Sequence, residues 1–263
     1  MPSPRRRPAV AAAPLFGPAF TLEYARLWTR FAHRIAPGVV RILRRSGVPG
    51  GAVIDLGCGP GTLAAHLGAH GYRVIGIDRS RPMLRLARLA APTARFLAAD
   101  LGGARLAAAD AVVSTFDTLN YFHRARDLQR LFGRVAGALQ PGGVFVFDIL
   151  TPAELLGPSR EDLAYRSARA IVVVRIERRR DAGRIRHTIV TLPRLAAGPP
   201  PPMEVHDQRV FAPGAVVRWL RAAGFAPRRL SGYPGVPGQP GRAVFVAVRR
   251  PTSSLGGRGP APR

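Results

Sequence analysis

Short apolar runs alternate with segments of helical periodicity through the middle of the chain. The apolar runs cover residues 52–56, 73–77, 94–98, 111–114 and 144–149. Between them, apolar residues recur at helical spacing near 61–70, 81–90 and 126–139. Strands that alternate with helices form a parallel sheet covered by helices on both faces, and continuously apolar strands such as 144–147 suit a doubly buried sheet. The pattern predicts a doubly wound α/β domain.

The residues before this region predict helices and a tail. Within 20–46, apolar positions recur at helical spacing, and Pro37 is expected to divide the segment into two helices because proline lacks a backbone donor. Residues 1–19 are rich in Pro, Ala and Arg and are expected to form a disordered tail. We therefore assign the N-terminal helices and the α/β core to 20–150.

After residue 150 the pattern becomes typical of antiparallel strands. Strands predicted at 170–178 and 184–192 flank an Asp-Ala-Gly turn signal at 181–183. Residues 204–211 are a candidate for a further strand. We expect these elements to form a small antiparallel β insertion within 151–211.

The last part of the chain is expected to complete the core sheet within 212–249. A helix is predicted at 214–223 and two final strands at 225–231 and 243–248. With the five parallel strands these two make a seven-stranded sheet. Residues 250–263 are expected to form a second disordered tail.

The charge balance of the chain is strongly basic. Forty basic residues, all arginine, stand against 15 acidic ones, for a formal net charge of +25. This charge favours a polyanion partner such as RNA, because arginine neutralises phosphates and releases counterions. Arginine without lysine, together with abundant Ala, Gly and Pro, is what a GC-rich coding bias produces whatever the protein binds, and we favour that interpretation. The charge alone leaves both interpretations open.

Cysteine content and hydropathy bear on the compartment. The chain has one cysteine, Cys58, so an intrachain disulfide is impossible and a reducing cytoplasm fits. It contains no apolar run of about 18 residues, so we expect no membrane span. We expect a cytoplasmic protein without a metal site.

A glycine-rich turn joins the first predicted strand to a helix. Residues 53–62 read Val-Ile-Asp-Leu-Gly-Cys-Gly-Pro-Gly-Thr. Glycine allows a ligand to approach the backbone closely, and the following helix N-terminus presents free amides. The glycines at 57, 59 and 61 depart from the G-x-G-x-x-G spacing of dinucleotide binders. Asp55 would repel a pyrophosphate and suits a ligand that carries an ammonium group.

A second acidic residue ends the next predicted strand. Asp78 lies 21 residues after Gly57. An acid about 20 residues beyond such a turn can bind both ribose hydroxyls of an adenosine. The two motifs together favour an adenosine ligand with an amino group, and a Rossmann dehydrogenase is the alternative cofactor interpretation.

These motifs resemble those of the class I S-adenosylmethionine-dependent methyltransferases, in particular the bacterial small-molecule type. Residues 53–61 are similar to the family's first motif and Ile-Gly-Ile-Asp at 75–78 to its acidic loop. Ala-Asp-Leu at 99–101 and Leu-Gln-Pro-Gly-Gly at 139–143 are similar to two later motifs, so the resemblance covers roughly the middle third of the chain. It implies a seven-stranded Rossmann-like methyltransferase sheet, an enzyme, and S-adenosyl-L-methionine as cofactor.

The resemblance also implies which residues contact that cofactor. They are Asp55, Gly57, Cys58, Gly59, Asp78, Ser80, Met83, Asp100, Leu101, Thr115 and Phe116. In the family's arrangement Asp55 would face the methionine end, Asp78 the ribose, and Asp100 the adenine amino group. Cys58 would serve as a small spacer between two loop glycines.

Candidates for the acceptor side follow the fourth predicted strand. Asn120 and Tyr121 lie at the carboxyl edge of the sheet, where ligands of open α/β sheets bind. Further along, strand alternation separates His206 on one face from Arg209 on the other. We take His206 and Tyr121 as candidate catalytic residues, and Asn120, Tyr121 and Arg209 as candidate acceptor contacts.

Trp28 is a fourth candidate acceptor contact. Tyr24, Trp28 and Phe31 share one face of a predicted helix. That face is either an ordinary core face or, as the resemblance suggests, part of a lid over the acceptor. Spacing alone does not separate the two.

Two functions besides the leading one stay open at this point. The leading expectation is methyl transfer to a nitrogen or oxygen atom of a small molecule, for which correct alignment supplies most of the catalysis. An RNA methyltransferase is favoured by the basic charge and by the arginines at 178–180, although no RNA-binding module is recognisable. A non-catalytic protein that keeps the cofactor fold is the other alternative.

Overall fold

The computed structural model describes residues 15–194 and 203–251. The α-helices of these residues are α1 (Pro18–Leu27), α2 (Thr29–Arg45), α3 (Thr62–Ala69), α4 (Arg81–Ala90), α5 (Ala125–Ala138) and α6 (Pro213–Ala222). The strands are β1 (Gly51–Leu56), β2 (Tyr72–Asp78), β3 (Arg95–Ala98), β4 (Ala109–Ser114), β5 (Leu139–Leu150), β6 (Arg160–Arg166), β7 (Ala170–Arg179), β8 (Arg184–Pro193), β9 (Glu204–Arg209), β10 (Phe225–Leu230) and β11 (Arg242–Arg249). Short 3₁₀ helices occupy Thr118–Tyr121 and Pro152–Leu156.

Seven strands form the central sheet in the order β10-β11-β5-β4-β1-β2-β3. Neighbours among β1 to β5 are parallel, and β11 pairs antiparallel with both β5 and β10. The chain order reverses beside β1, and that switch point places the ends of β1 and β4 at a ligand crevice. The predicted seven-stranded α/β fold is confirmed.

Strand alternation divides the core between the two faces of this sheet. Along β5, Val144 and Val146 pack with α2 and α3, while Phe145 and Phe147 pack with α5 and α6. Phe132 of α5 lies 5.6 Å from the Phe147 ring, centroid to centroid. A strand segment buried on both sides needs apolar residues on both faces, which is why residues 144–147 of β5 form a continuous apolar run in the sequence.

A separate four-stranded antiparallel sheet has the order β6-β7-β8-β9. The predicted strands of the insertion are present, and β6 adds one that the sequence did not predict. Residues 160–166 carry four charged side chains and read as polar, yet the strand pairs along its full length with β7. As an edge strand it needs only one apolar face, so its burial alternates weakly.

Two expectations for the N-terminal region are corrected. The helix break falls at Trp28 rather than at Pro37, which lies inside α2. The lost hydrogen bond is offset because Ile35, Val39 and Leu43 bury one face of α2 in the core. Helix α1 begins at Pro18, inside the tail expected at 1–19.

The remaining expectations for the chain ends concern residues that are only partly described. Residues 1–14, 252–263 and the four-proline run at 199–202 lie outside the described residues. Among the helices of 15–194 and 203–251, none is long and apolar enough to cross a membrane.

Candidate active site

A cavity of about 620 Å³ lies between the carboxyl ends of β1, β2 and β4 and the inner face of the four-stranded sheet. Helix α1 and the residues just before it close one side. The cavity therefore has two halves. We call the part built on the central sheet the nucleotide half, and the part between α1 and the four-stranded sheet the acceptor half.

The glycine-rich loop forms the floor of the nucleotide half. Gly57 and Gly61 have φ angles of 70° and 80°, in the left-handed region. A Cβ at Gly61 would lie 2.8 Å from the Ala87 backbone, so the loop can approach α4 only without a side chain. The Gly57 amide donates to the Ile77 carbonyl at 2.7 Å, which ties the loop to β2.

Asp78 anchors the same loop from the end of β2. Its two carboxylate oxygens accept from the Gly59 amide at 2.9 Å and the Ser80 amide at 2.8 Å. Burial raises the pKa of Asp78, and the two amide hydrogen bonds oppose that shift. A carboxylate has about four acceptor positions, so Asp78 keeps capacity for ligand hydroxyls.

Asp55 supplies an unpaired carboxylate to the cavity wall. The residue is buried, and within the described part of the chain its Oδ2 atom has no hydrogen-bond partner. Burial, and then the charge of Asp78, raise the pKa of Asp55 to about 7. A buried carboxylate without a partner is unstable unless a ligand cation satisfies it. The residue therefore fits the ammonium group of S-adenosylmethionine.

Most of the other residues predicted to contact the cofactor lie on the cavity wall. Those on the cavity wall are Cys58, Gly59, Met83, Asp100, Leu101, Thr115 and Phe116. The contacts predicted for them stay predictions. Burial and the neighbouring Asp55 raise the pKa of the Cys58 thiol, so the group is not a nucleophile at neutral pH.

Ser80, also predicted to contact the cofactor, lies behind the cavity wall. Its hydroxyl accepts from the Met83 amide at 3.3 Å as the N-cap of α4 and donates to the Phe16 carbonyl at 2.9 Å. The side chain therefore holds the segment before α1 against the nucleotide half instead of lining the cavity.

A chain of hydrogen bonds crosses the roof of the acceptor half. The Tyr121 hydroxyl lies 2.8 Å from Nδ1 of His206, and Nε2 of His206 lies 3.2 Å from the Glu204 carboxylate. A carboxylate only accepts, so Nε2 carries the proton and Nδ1 accepts from Tyr121. Burial raises the pKa of Tyr121 well above its usual value, which keeps the phenol protonated.

Glu204 also binds the segment that leads into α1 through hydrogen bonds. Its carboxylate accepts from the Phe16 amide at 2.7 Å and the Gly17 amide at 3.0 Å. The Phe16 ring meets the His206 ring edge to face at 4.7 Å. The N-terminal segment thus covers the hydrogen-bond chain and separates it from solvent.

The structure places two of the predicted acceptor contacts, Asn120 and Arg209, away from the cavity wall. Asn120 is fully buried and ties Leu150 to Arg209: its amide donates to both carbonyls, at 3.1 and 2.6 Å. The Arg209 guanidinium donates to the His123 carbonyl at 2.9 Å, on the opposite face of β9 from His206. Both side chains serve the structure outside the cavity, whereas Trp28 and Tyr121 lie on its wall.

A buried ionic network, which the sequence did not predict, shapes the junction of the two halves. Phe116 and Asp117 both have left-handed φ angles, 61° and 49°. Their amides donate to Asp148 at 3.1 and 2.7 Å, and Arg242 bonds both Asp117 and Asp148. These bonds hold a strained loop in place. The sequence signal for this network is Asp148, a charged residue within the otherwise apolar run 144–150.

Comparisons with known proteins agree with this geometry. Residues 53–143 match a family described as a methyltransferase domain. The chain is 30% identical to YqeM of Bacillus subtilis over 128 residues, 44% of this chain and 52% of YqeM, so it matches about half the length of that relative. It is 27% identical to trans-aconitate 2-methyltransferase of Delftia acidovorans over 220 residues, 76% of this chain and 80% of that one.

Solved structures extend the similarity to nearly the whole chain. The sugar N-methyltransferase KedS8 from Streptoalloteichus has a TM-score of 0.76 at 27% identity and covers 94% of this chain and 100% of its own. An S-adenosylmethionine-dependent methyltransferase from Clostridium acetobutylicum shares the fold, with a TM-score of 0.75 at 19% identity over 88% and 98% of the two chains.

Proposed function

We propose that this chain, which resembles the class I S-adenosylmethionine-dependent methyltransferases in its matched domain and in its fold, is a methyltransferase that methylates a nitrogen or oxygen atom of a small-molecule acceptor. The observation that carries the proposal is one continuous cavity. It joins the glycine loop and Asp78 in the nucleotide half to Tyr121 and His206 in the acceptor half. A cofactor in one half and an acceptor in the other would meet at the Phe116 loop.

The nucleotide half offers a complementary group for each end of the cofactor. S-adenosylmethionine supplies a methyl group on a positively charged sulfur, already activated for transfer. Asp55 would take its ammonium group and Asp78 its ribose hydroxyls. Met83 and Leu101 would enclose the adenine. These residues position the cofactor, and positioning accounts for much of the rate enhancement in such transfers.

The acceptor half offers a route for the proton that the acceptor loses. The acceptor proton would pass to the Tyr121 oxygen as the Tyr121 proton passes to Nδ1 of His206. The imidazolium that forms would be stabilised by Glu204, 3.2 Å away. A relay of this kind typically contributes about 10²–10⁴-fold to the rate.

A small-molecule acceptor is supported over RNA by the surroundings of the arginine run at 178–180. Arg178 is largely buried and donates to Glu161 and the Pro158 carbonyl. Arg180 donates to the Leu155 and Gly157 carbonyls. Two of the three arginines thus stabilise the inserted sheet and are not free for phosphates.

Calorimetric titration with S-adenosylmethionine tests the cofactor site directly. We expect the unaltered chain to bind with micromolar-range affinity and Asp78→Ala to bind at least about tenfold more weakly, which corresponds to about 1.4 kcal/mol. Asp181→Ala, in the turn between β7 and β8, is the control and should bind as the parent does. Absence of binding by the folded parent chain would overturn the proposal.

A further inference from the structure

Aromatic side chains form one wall of the acceptor half. They are Phe16, Phe20, Tyr24 and Trp28, and Tyr165 of β6 faces them from the four-stranded sheet. The Trp28 ring stacks on Tyr24 with centroids 5.6 Å apart and meets Tyr165 edge to face at 4.9 Å. A wall of this kind favours a flat or compact apolar ligand over a strongly hydrated one.

The opposite wall is the inner face of the four-stranded sheet. Strand alternation brings apolar side chains from three strands to this face: Leu163, Val174, Ile176, Ile185 and Ile189. On these two walls a ligand hydroxyl would find partners mainly at the polar tips of the Tyr24, Trp28 and Tyr165 rings and at His187. A buried hydroxyl without a hydrogen bond is unfavourable, so a polyhydroxylated acceptor fits this half of the cavity poorly.

The polar side chains of β9 at the edge of the acceptor half are engaged with the protein itself. Glu204 accepts from the Phe16 and Gly17 amides, and His206 is bound by Tyr121. The Gln208 side chain donates to Asp117. Their hydrogen-bonding capacity is therefore largely used before any acceptor binds.

His187 of β8 faces the same half of the cavity, and no hydrogen bond among the described residues engages its ring. It lies opposite Ile176 on β7 and opposite His206 on β9, and it lines the cavity. The hydrogen bonds of the described residues engage His206 but not the His187 ring. Burial lowers the pKa of His187 to about 4, so at neutral pH the ring is uncharged and offers one donor and one acceptor.

We propose that the acceptor is a largely apolar ring compound and that His187 binds a single polar group on that ring system. This inference rests on the proposed function, since it takes the nucleotide half as the cofactor site. The walls select the apolar body, and His187 orients it so that the reacting atom lies below Tyr121. His187 is thus a specificity-determining residue rather than a member of the proton relay.

Titration of the full chain saturated with S-adenosylhomocysteine tests the inference without requiring turnover. The probes are 2-naphthol, an apolar bicycle with one hydroxyl, and glucosamine, a polyhydroxylated amine. We expect 2-naphthol to bind at least about tenfold more tightly than glucosamine. Equal or tighter binding of glucosamine, or no binding of 2-naphthol, would overturn the inference.

Variants at His187 make the test specific to that side chain. His187→Leu should weaken 2-naphthol binding about tenfold while S-adenosylhomocysteine binds within about twofold of the parent. His187→Gln, which keeps a donor and an acceptor, should restore most of the affinity and guards against a variant that misfolds. His70→Phe, exposed at the end of α3, is the matched control. Unchanged 2-naphthol binding in His187→Leu would refute the assignment.

The cofactor measurement separates this inference from the proposed function. If S-adenosylhomocysteine does not bind the folded parent chain, the proposed function fails and the inference falls with it. If it binds and the probes contradict the expectations above, only the inference about the acceptor fails.

Discussion

The two halves of the cavity are built in different ways. The nucleotide half is centred on one continuous loop, 57–61, whose amides bond the Ile77 carbonyl and the Asp78 carboxylate at the end of β2. The acceptor half is assembled from α1, the 3₁₀ helix after β4 and the four-stranded sheet. A local loop leaves a recognisable sequence motif, whereas a wall made from distant segments does not. This difference explains why the cofactor can be inferred from the sequence and the acceptor cannot.

The largest expected effect concerns the network that joins the two halves. Arg242→Met would leave Asp148 buried without its cationic partner, and breaking such a pair destabilises a protein by about 3–5 kcal/mol. Urea denaturation should show this loss, and the Phe116 loop should no longer hold its geometry. Arg228→Met, on the exposed side of β10, is the matched control. A loss below about 1 kcal/mol would show that the network does not stabilise the junction.

A smaller effect should separate the halves functionally. Tyr121→Phe removes the hydroxyl that bonds His206 while leaving the nucleotide half intact. Once an acceptor is in hand, we expect kcat to fall about 100-fold, or about 2.7 kcal/mol, with the Kd for S-adenosylmethionine unchanged. Tyr72→Phe, whose hydroxyl bonds the Val48 carbonyl, serves for comparison. Equal losses in kcat and cofactor affinity would show that the two halves do not act separately.

The smallest predicted effect concerns only the nucleotide half and depends on pH. Asp55→Asn should weaken S-adenosylmethionine binding about tenfold near pH 7.5, because the ammonium group loses its carboxylate partner. Since the pKa of Asp55 is about 7 in the ligand-free chain, affinity of the parent should fall as pH drops from about 7.5 to 5.5 while that of the variant stays flat. Calorimetry at both pH values checks this; parallel curves would contradict it.

Asp55 should give the stability of the ligand-free fold the opposite pH dependence: cofactor affinity rises with pH, whereas stability falls. A carboxyl group whose pKa is raised on folding stabilises the native state when protonated, and that contribution is lost as pH rises through the folded pKa of about 7. The ligand-free parent chain should therefore lose stability between about pH 4 and 7 relative to Asp55→Asn. Thermal unfolding over that range provides the measurement, and a constant difference would contradict the assignment.

Much of the fold follows from patterns that persist over short distances along the chain. The run at 144–149, apolar except for Asp148, predicted a doubly buried strand, and the Asp-Ala-Gly turn at 181–183 predicted the β7–β8 hairpin. Strand β6 and the helix through Pro37 could not be predicted, because pairing with β7 and burial of α2 in the core decide them. Local propensity is weaker than these tertiary contributions.

For the site, the sequence by itself predicted the nucleotide half: Asp55, the glycine loop and Asp78 lie within one strand-helix-strand unit, β1-α3-β2, whose geometry is local. Only the tertiary structure decided the acceptor half. It brought His187 and His206 side by side on adjacent strands and Tyr121 beneath them, and it turned Asn120 and Arg209 to structural contacts. Contacts between residues about 85 positions apart depend on how the sheets pack, and short-range periodicity carries no information on that.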